Sequence, residues 1–288
     1  MRERGWSCPP LPFTRRTFLT AAGLAGLELT IPACRTAPVN ERGAMTADQS
    51  HRPWPIPSKP WALAMRWHDL AFLHWPLDPT VVRPLVPPPL DLEVFDGQAW
   101  VGITPFRMTG VRPRWLPSLP WVSAFPELNV RTYVTLAEKP GVWFFSLDAG
   151  NTVAVRVARW MLELPYYAAA MSLHPTNGYI EYESIRTHRG APSATFRGRY
   201  RPTGQPGRSR PGSLDHWLTE RYCLYAVDRK GAVSRTEIHH APWPLQTGEA
   251  ELHANTMARA AGIELPPIAP YVNFARRLDV VAWMPQRV

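Results

Sequence analysis

The chain has 288 residues, 45% of them hydrophobic and 19% charged, enough apolar side chain to fill a sizeable core and too little charge density for a disordered polymer. Its 33 prolines are confined by a fixed φ and a missing N–H to turns, bulges and sheet edges, which argues against an all-helical fold and for short strands with irregular joins. The formal charge of +9 falls to a moderate +6 once the six arginines and three glutamates of residues 1–44 are set aside.

Lysine occurs only at Lys59, Lys139 and Lys230, so the basic side chains are nearly all guanidinium groups, suited to forked contacts with carboxylate or phosphate. Cys8, Cys34 and Cys223 are spaced too widely for a zinc or redox motif, and no disulfide framework exists. Cys223, inside the apolar run 222–227, reads as buried packing.

Within residues 1–44, Thr14-Arg15-Arg16-Thr17-Phe18-Leu19-Thr20 resembles a twin-arginine export signal and precedes an apolar, small-residue run over 21–33. That run is too short, and too interrupted by Glu28, to span a membrane. Ile31-Pro32-Ala33-Cys34 resembles a lipobox, in which Cys34 becomes the lipidated first residue, although Pro32 fits poorly. Export to the periplasm or a membrane-anchored lipoprotein follows from this reading. Translation from Met45 is the alternative, and it leaves a cytoplasmic protein.

After a proline-rich lead-in at 45–60, residues 61–288 read as a single domain. The run 62–75 predicts a strand or bent strand pair, and 79–85 a helical turn or two before Pro87-Pro88-Pro89. Residues 92–95 and 98–108 predict a hairpin across Asp96-Gly97, which supplies the positive φ angles of a tight turn. Residues 111–123 form a Pro- and Trp-rich loop long enough for a lid or rim. Alternation over 127–136 puts Glu127, Asn129, Arg131, Tyr133 and Thr135 on one face and Leu128, Val130, Thr132, Val134 and Leu136 on the other.

Residues 142–147 predict a further strand. The run 151–164 predicts the main helix, capped by Asn151, stopped by Pro165 and striped by Val153, Val157, Trp160, Met161 and Leu164. Strands follow at 168–173, 179–186 and 194–200, with Asn177-Gly178 as a second tight turn. Ser213 caps a short helix to about Arg221, 222–227 pairs with 233–239, and 274–283 closes the chain. Many strands broken by few short helices define a mainly β member of the α+β class, with a closed or nearly closed sheet.

The segments WHDLAFLHWPLDP, FDGQAWVGITPFRMTGVRP, AFPELNVRTYV, GVWFFSLDA, GSLDHWLTERYCLY, IHHAPWPLQ and FARRLDVVAW resemble the YqjF-like group of uncharacterised conserved bacterial proteins. The resemblance covers nearly all of 61–288. That group is similar in fold to acetoacetate decarboxylase, which implies an antiparallel β-barrel with a shielded cavity. In the decarboxylase pattern an aromatic-Pro pair is followed by lysines, one of which forms a Schiff base. Here Ala124-Phe125-Pro126 is followed by Glu127-Leu128, so the amine is missing and Schiff-base decarboxylation is not expected. No cofactor is implied.

A barrel would turn the Glu127, Asn129, Arg131 and Tyr133 face inward, lining up a carboxylate, an amide, a guanidinium and a phenol. Arg131 then binds a carboxylate or phosphate oxygen, and Glu127 acts as acid, base or acceptor. The plainer alternative is a structural ion pair between Glu127 and Arg131. Tyr166, Tyr167, Glu220, Arg221 and Tyr222 are further cavity or network candidates. His239 and His240 point to opposite faces of a strand and do not share a metal.

Arg197, Arg199, Arg201, Arg208 and Arg210 form a basic run with no nucleic-acid-reading module beside it, and read as a solvated strand edge and loop. A small organic ligand is therefore the expected partner, nucleic acid is not, and a membrane contact depends on Cys34. An interior binding barrel, a cofactor-free lyase, isomerase or hydrolase using Glu127, and an envelope protein that binds lipid or a protein all remain open.

Overall fold

The computed structural model describes residue 39 and residues 49–118, 123–228 and 230–288. Arg15, Arg16 and Cys34 lie outside the described residues, as do residues 119–122 of the proline-rich loop. No described helix is long and apolar enough to cross a membrane.

Strand β1 (Leu63–Leu77) is one continuous apolar strand. It bends where Asp69 takes a φ of 52° and its register with the neighbouring strand shifts between His68 and Leu73, a bulge that re-aims the chain. Asp78 accepts from the Thr80 N–H and starts α1 (Pro79–Val82), and a 3-10 turn over Arg83–Leu85 follows.

Strands β2 (Asp91–Leu92) and β3 (Ala99–Pro113) flank the Asp96-Gly97 turn, whose φ values are 50° and 76°. The turn forms as expected, but the hairpin reduces to one bridge between Phe95 and Gln98. Strand β2 instead pairs with β4 (Phe125–Leu136), whose long edge offers more partners than a two-residue arm finds in β3.

Strand β5 (Lys139–Ala149) returns antiparallel along β4. Helix α2 (Thr152–Leu162) follows, with the Asn151 carboxamide accepting from the N–H groups of Val153 and Ala154 at 3.0 Å. Its expected stripe is out of phase. Val155 is buried with Ala154, Ala158 and Leu162 beside it, whereas Val153 and Val157 are 54% and 48% exposed. The alanine-bearing face permits the closer approach to the sheet, and packing chooses it over the bulkier one.

Strands β6 (Tyr166–Thr176), β7 (Tyr179–Arg186) and β8 (Thr195–Pro202) form a meander, turning between β6 and β7 at Asn177-Gly178. Helix α3 (Leu214–Thr219) is capped by Ser213 and leads into β9 (Cys223–Val227) and β10 (Val233–His240). Strand β11 (Gln246–Asn255) is unforeseen, because its half-exposed, Glu-containing sequence carries no apolar run. The last strands are β12 (Tyr271–Ala282) and β13 (Gln286–Arg287).

Seven pairings close on themselves in the order β1–β3–β4–β5–β9–β10–β12–β1. The expectation of a purely antiparallel sheet is corrected at β5, which pairs in parallel with both β6 and β9. The crossover through α2 accounts for β6, which it brings back in the same direction as β5. One apolar cluster, including Phe72, Phe106, Tyr133, Phe144 and Val280, fills the ring. A second, including Leu73, Ile103, Val130, Tyr182 and Phe196, lies between the opposite faces of β1, β3 and β4 and the β6–β7–β8–β11 sheet.

Candidate functional site

The period-two side-chain alternation of β4 sends Leu128 and Val130 into the second cluster and Glu127, Asn129 and Arg131 toward the ring interior. There they line a cavity of about 110 Å³. Most of its wall is apolar, from residues such as Trp67, Phe72, Phe106, Met108, Phe144 and Leu147. Thr104 from β3, His240 from β10, Tyr166 from β6 and Trp243 from the segment after β10 add polar groups, as do Thr219, Arg221 and Thr236.

Glu127 is 2% exposed, and its Oε2 accepts from the Tyr166 hydroxyl at 3.1 Å. Burial pushes its carboxyl up to about 8; the Tyr166 hydrogen bond opposes the shift and the nearby Asp148 charge adds to it. Glu127 is therefore mainly a neutral acid at physiological pH. Burial together with the Glu127 carboxyl holds the Tyr166 phenol well above its usual range, so it remains a donor. The backbone carbonyl of Glu127 accepts from the Tyr182 hydroxyl at 2.7 Å, which fixes the strand here.

Arg131 makes no ion pair with Glu127, and the structural-pair alternative is set aside. Its Nη2 donates to the Tyr133 hydroxyl at 3.4 Å and its guanidinium lies 5.3 Å from the Phe72 ring centroid. Its Nε is buried without a hydrogen-bond partner among the described residues, as are Asn129 Oδ1, Thr104 Oγ1, His240 Nε2, Trp67 Nε1 and Trp243 Nε1. Six unpartnered polar atoms on residues around one small cavity stand out, because buried polar groups are normally satisfied.

Arg221 also borders the cavity, but Glu93 neutralises it at 2.5 Å. His240 is kept neutral by burial, against the opposing pull of Glu220. Arg131 is thus the unbalanced charge at the cavity. No lysine lines it among the described residues: Lys139 is engaged with Glu237 at 3.1 Å, and Lys59 and Lys230 border other surface pockets.

Of the residues expected at a ligand site, Glu127, Asn129, Arg131 and Tyr166 come together. Tyr133 stands behind Arg131, fully buried, with its hydroxyl 2.6 Å from His74 Nε2. Tyr222 lines a separate outer pocket, bonded to Glu220 and stacked on His240. Asp148, near the end of β5, forms a buried two-pronged pair with Arg186 at 2.7 Å. Arg197, Arg199 and Arg201 pair with Glu183, Glu251 and Glu249 across exposed strands. Thr104 and Trp243 went unrecognised in the sequence, since an isolated threonine in a strand and a Trp beside prolines carry no periodic signal.

The mainly β fold is that of a group of solved structures which includes acetoacetate decarboxylases. The chain is similar to acetoacetate decarboxylase from Legionella pneumophila, with a TM-score of 0.56 and 14% identity over 94% of this chain and 98% of the other. It is also similar to the enduracididine biosynthesis enzyme MppR complexed with pyruvate, with a TM-score of 0.52 and 11% identity over 80% and 91% of the two chains. The chain belongs to the DUF2071 family of uncharacterized conserved proteins, matched over residues 64–279. A relative within reach of alignment is the uncharacterized protein YqjF of Bacillus subtilis (strain 168), 44% identical over 228 residues, or 79% of this chain and 93% of the relative.

Proposed function

We propose that the ring is a closed barrel whose interior binds a small organic acid or carbonyl compound without forming a Schiff base. The observation that carries this reading is the pairing of Arg131, a cation with no carboxylate partner among the described residues, with a neutral Glu127 in an otherwise apolar cavity. A carboxylate or carbonyl oxygen accepts from Arg131, while the Glu127 acid, Asn129 and Thr104 supply further hydrogen bonds. An apolar protein cavity of roughly 150 Å³ holds a benzene molecule, so a cavity of about 110 Å³ suits a ligand of about six heavy atoms or fewer. MppR, which has been seen with pyruvate, offers a fold-level parallel for a ligand of that size.

The test is native mass spectrometry of protein from its own host, comparing wild type with Arg131→Ala. A small molecule that copurifies with wild type and vanishes from the variant is expected. Two empty, equally stable proteins would remove the case for the site. The lack of lysine in the cavity wall further leads us to expect no adduct when acetoacetate and borohydride are added together. A stable mass increase on any lysine would contradict that.

A second reading, a cofactor-free lyase, isomerase or hydrolase, is favoured by one feature. A carboxyl pushed up to about 8 is matched to proton transfer near neutral pH, with Arg131 placed to stabilise negative charge that develops on the substrate. Turnover that Glu127→Gln abolishes while binding persists selects this reading. Binding with no product in either protein selects the first.

A further inference from the structure

Phe144 and Leu164 line two spaces at once, the interior cavity and an open groove of about 1080 Å³ on the outside of the sheet. The groove lies where the sheet parts. Strand β9 pairs with Val142 and Trp143 of β5, and β6 pairs with Leu147, Asp148 and Ala149 on the same edge, while β4 occupies the other edge. Between those two pairings, residues 144–146 of β5 have no strand neighbour on that side among the described residues. The wall at this point is made by side chains rather than by a backbone ladder.

Phe144 is 8% and Leu164 4% exposed, and both side chains are pure hydrocarbon. A rotamer change opens this wall with no hydrogen bond to break. Arg221 borders the cavity from another pocket, but its Nη1 is held by Glu93 and its Nε donates to the Trp217 carbonyl at 2.6 Å. Opening there separates a buried ion pair, which is far more expensive.

Charge points the same way. The groove is lined by Arg156, Arg159, Lys230 and Arg287 against Glu163 and Asp228, and Asp228 is already engaged by Arg287 at 3.3 Å. A cationic concavity raises the local concentration of small anions. Resting on the small-ligand reading above, we propose that this groove is the vestibule of the cavity: it collects a small carboxylate on its exposed cations and passes it inward between Phe144 and Leu164.

Butyrate is the probe, with association and dissociation rates taken from exchange broadening of its carbon-13 carboxyl resonance in the presence of the full chain. Arg156→Glu combined with Lys230→Glu changes exposed residues only, so the fold is retained. Association is expected to slow about threefold to tenfold at low salt and to rejoin wild type at high salt, with dissociation unchanged.

Leu164→Trp is expected to slow association and dissociation together, as a narrowed gate does; because Leu164 also lines the cavity, the readout is the two rates and not the equilibrium constant. If that variant does not fold, the charge-reversal pair still decides. Normal butyrate binding with wild-type rates in the folded variants sinks the vestibule and leaves the cavity reading standing. Faster exchange on Glu93→Gln alone would move the route to Arg221. No butyrate binding to wild type overturns the cavity reading, and the vestibule falls with it.

Discussion

Glu127 is a carboxyl group whose only side-chain partner among the described residues is a phenol, so its proton is retained where an exposed glutamate would lose it. The unfolded chain binds that proton with the ordinary value of 4.5 and the folded chain with a value of about 8. The proton is held more tightly in the native state, so its contribution to stability is complete below the unfolded value and fades as pH rises through about 8. Glu127→Gln removes this dependence. Urea unfolding at several pH values across that window should show the variant gaining on wild type, by on the order of 5 kcal/mol from the acid to the alkaline end. Parallel curves for the two proteins would mean that Glu127 titrates as an exposed group. At this scale β4 was legible, because one alternating strand fixes which side chains share a face. Tyr222 was not, since its distance from Arg131 depends on how β9 crosses the molecule, and no local pattern records that.

Strand β5 receives three neighbours, and at Gly141 one of them leaves no room for a side chain. A Cβ there would meet Cys223 Sγ at 2.7 Å, the Cys223 carbonyl at 2.8 Å and Tyr225 Cε2 at 2.9 Å. Two of those contacts belong to a strand and a packed ring that have little room to yield. Gly141→Ala is expected to destabilise the protein by about 2 to 3 kcal/mol through the β5–β9 pairing. Gly97, with a φ of 76° and nothing within 4 Å of its added Cβ, is the control: Gly97→Ala should lose only about 1 kcal/mol, from backbone conformation. Equal effects in denaturant unfolding would show that β9 adapts. The same distinction explains which elements could be read. The Asp-Gly and Asn-Gly turns and the Asn151 cap are local chemistry and formed as expected. The hairpin arm that left for β4, the parallel strands at β5 and the buried face of α2 were decided by competition between distant partners.

Across the whole molecule, the ring is joined by the segment that precedes it. Arg52 Nη1 donates to the Ile238 carbonyl at 2.6 Å and its Nη2 pairs with Glu237 at 3.3 Å. Trp54 Nε1 donates to Glu237 at 2.8 Å, and the Lys59 carbonyl accepts from Trp283 Nε1 at 2.6 Å. A chain begun at Trp61 should therefore be less stable than one begun at Gln49 by about 1 to 3 kcal/mol, since it loses the hydrogen bonds of Arg52 and Trp54 while Glu237 keeps Lys139 and Arg235 as partners. Equal unfolding midpoints would show that the lead-in only rests on the surface. Residue types and their order alone determined a mainly β chain, its tight turns and which side chains of β4 share a face, because these depend on neighbours a few residues apart. Only the tertiary structure decided that Glu127 and Arg131 stay unpaired with each other, that Thr104, His240 and Trp243 join them, and that a gap opens beside β5. Those features follow from strands far apart in sequence competing for the same edges, and from the burial that their closure into a ring imposes.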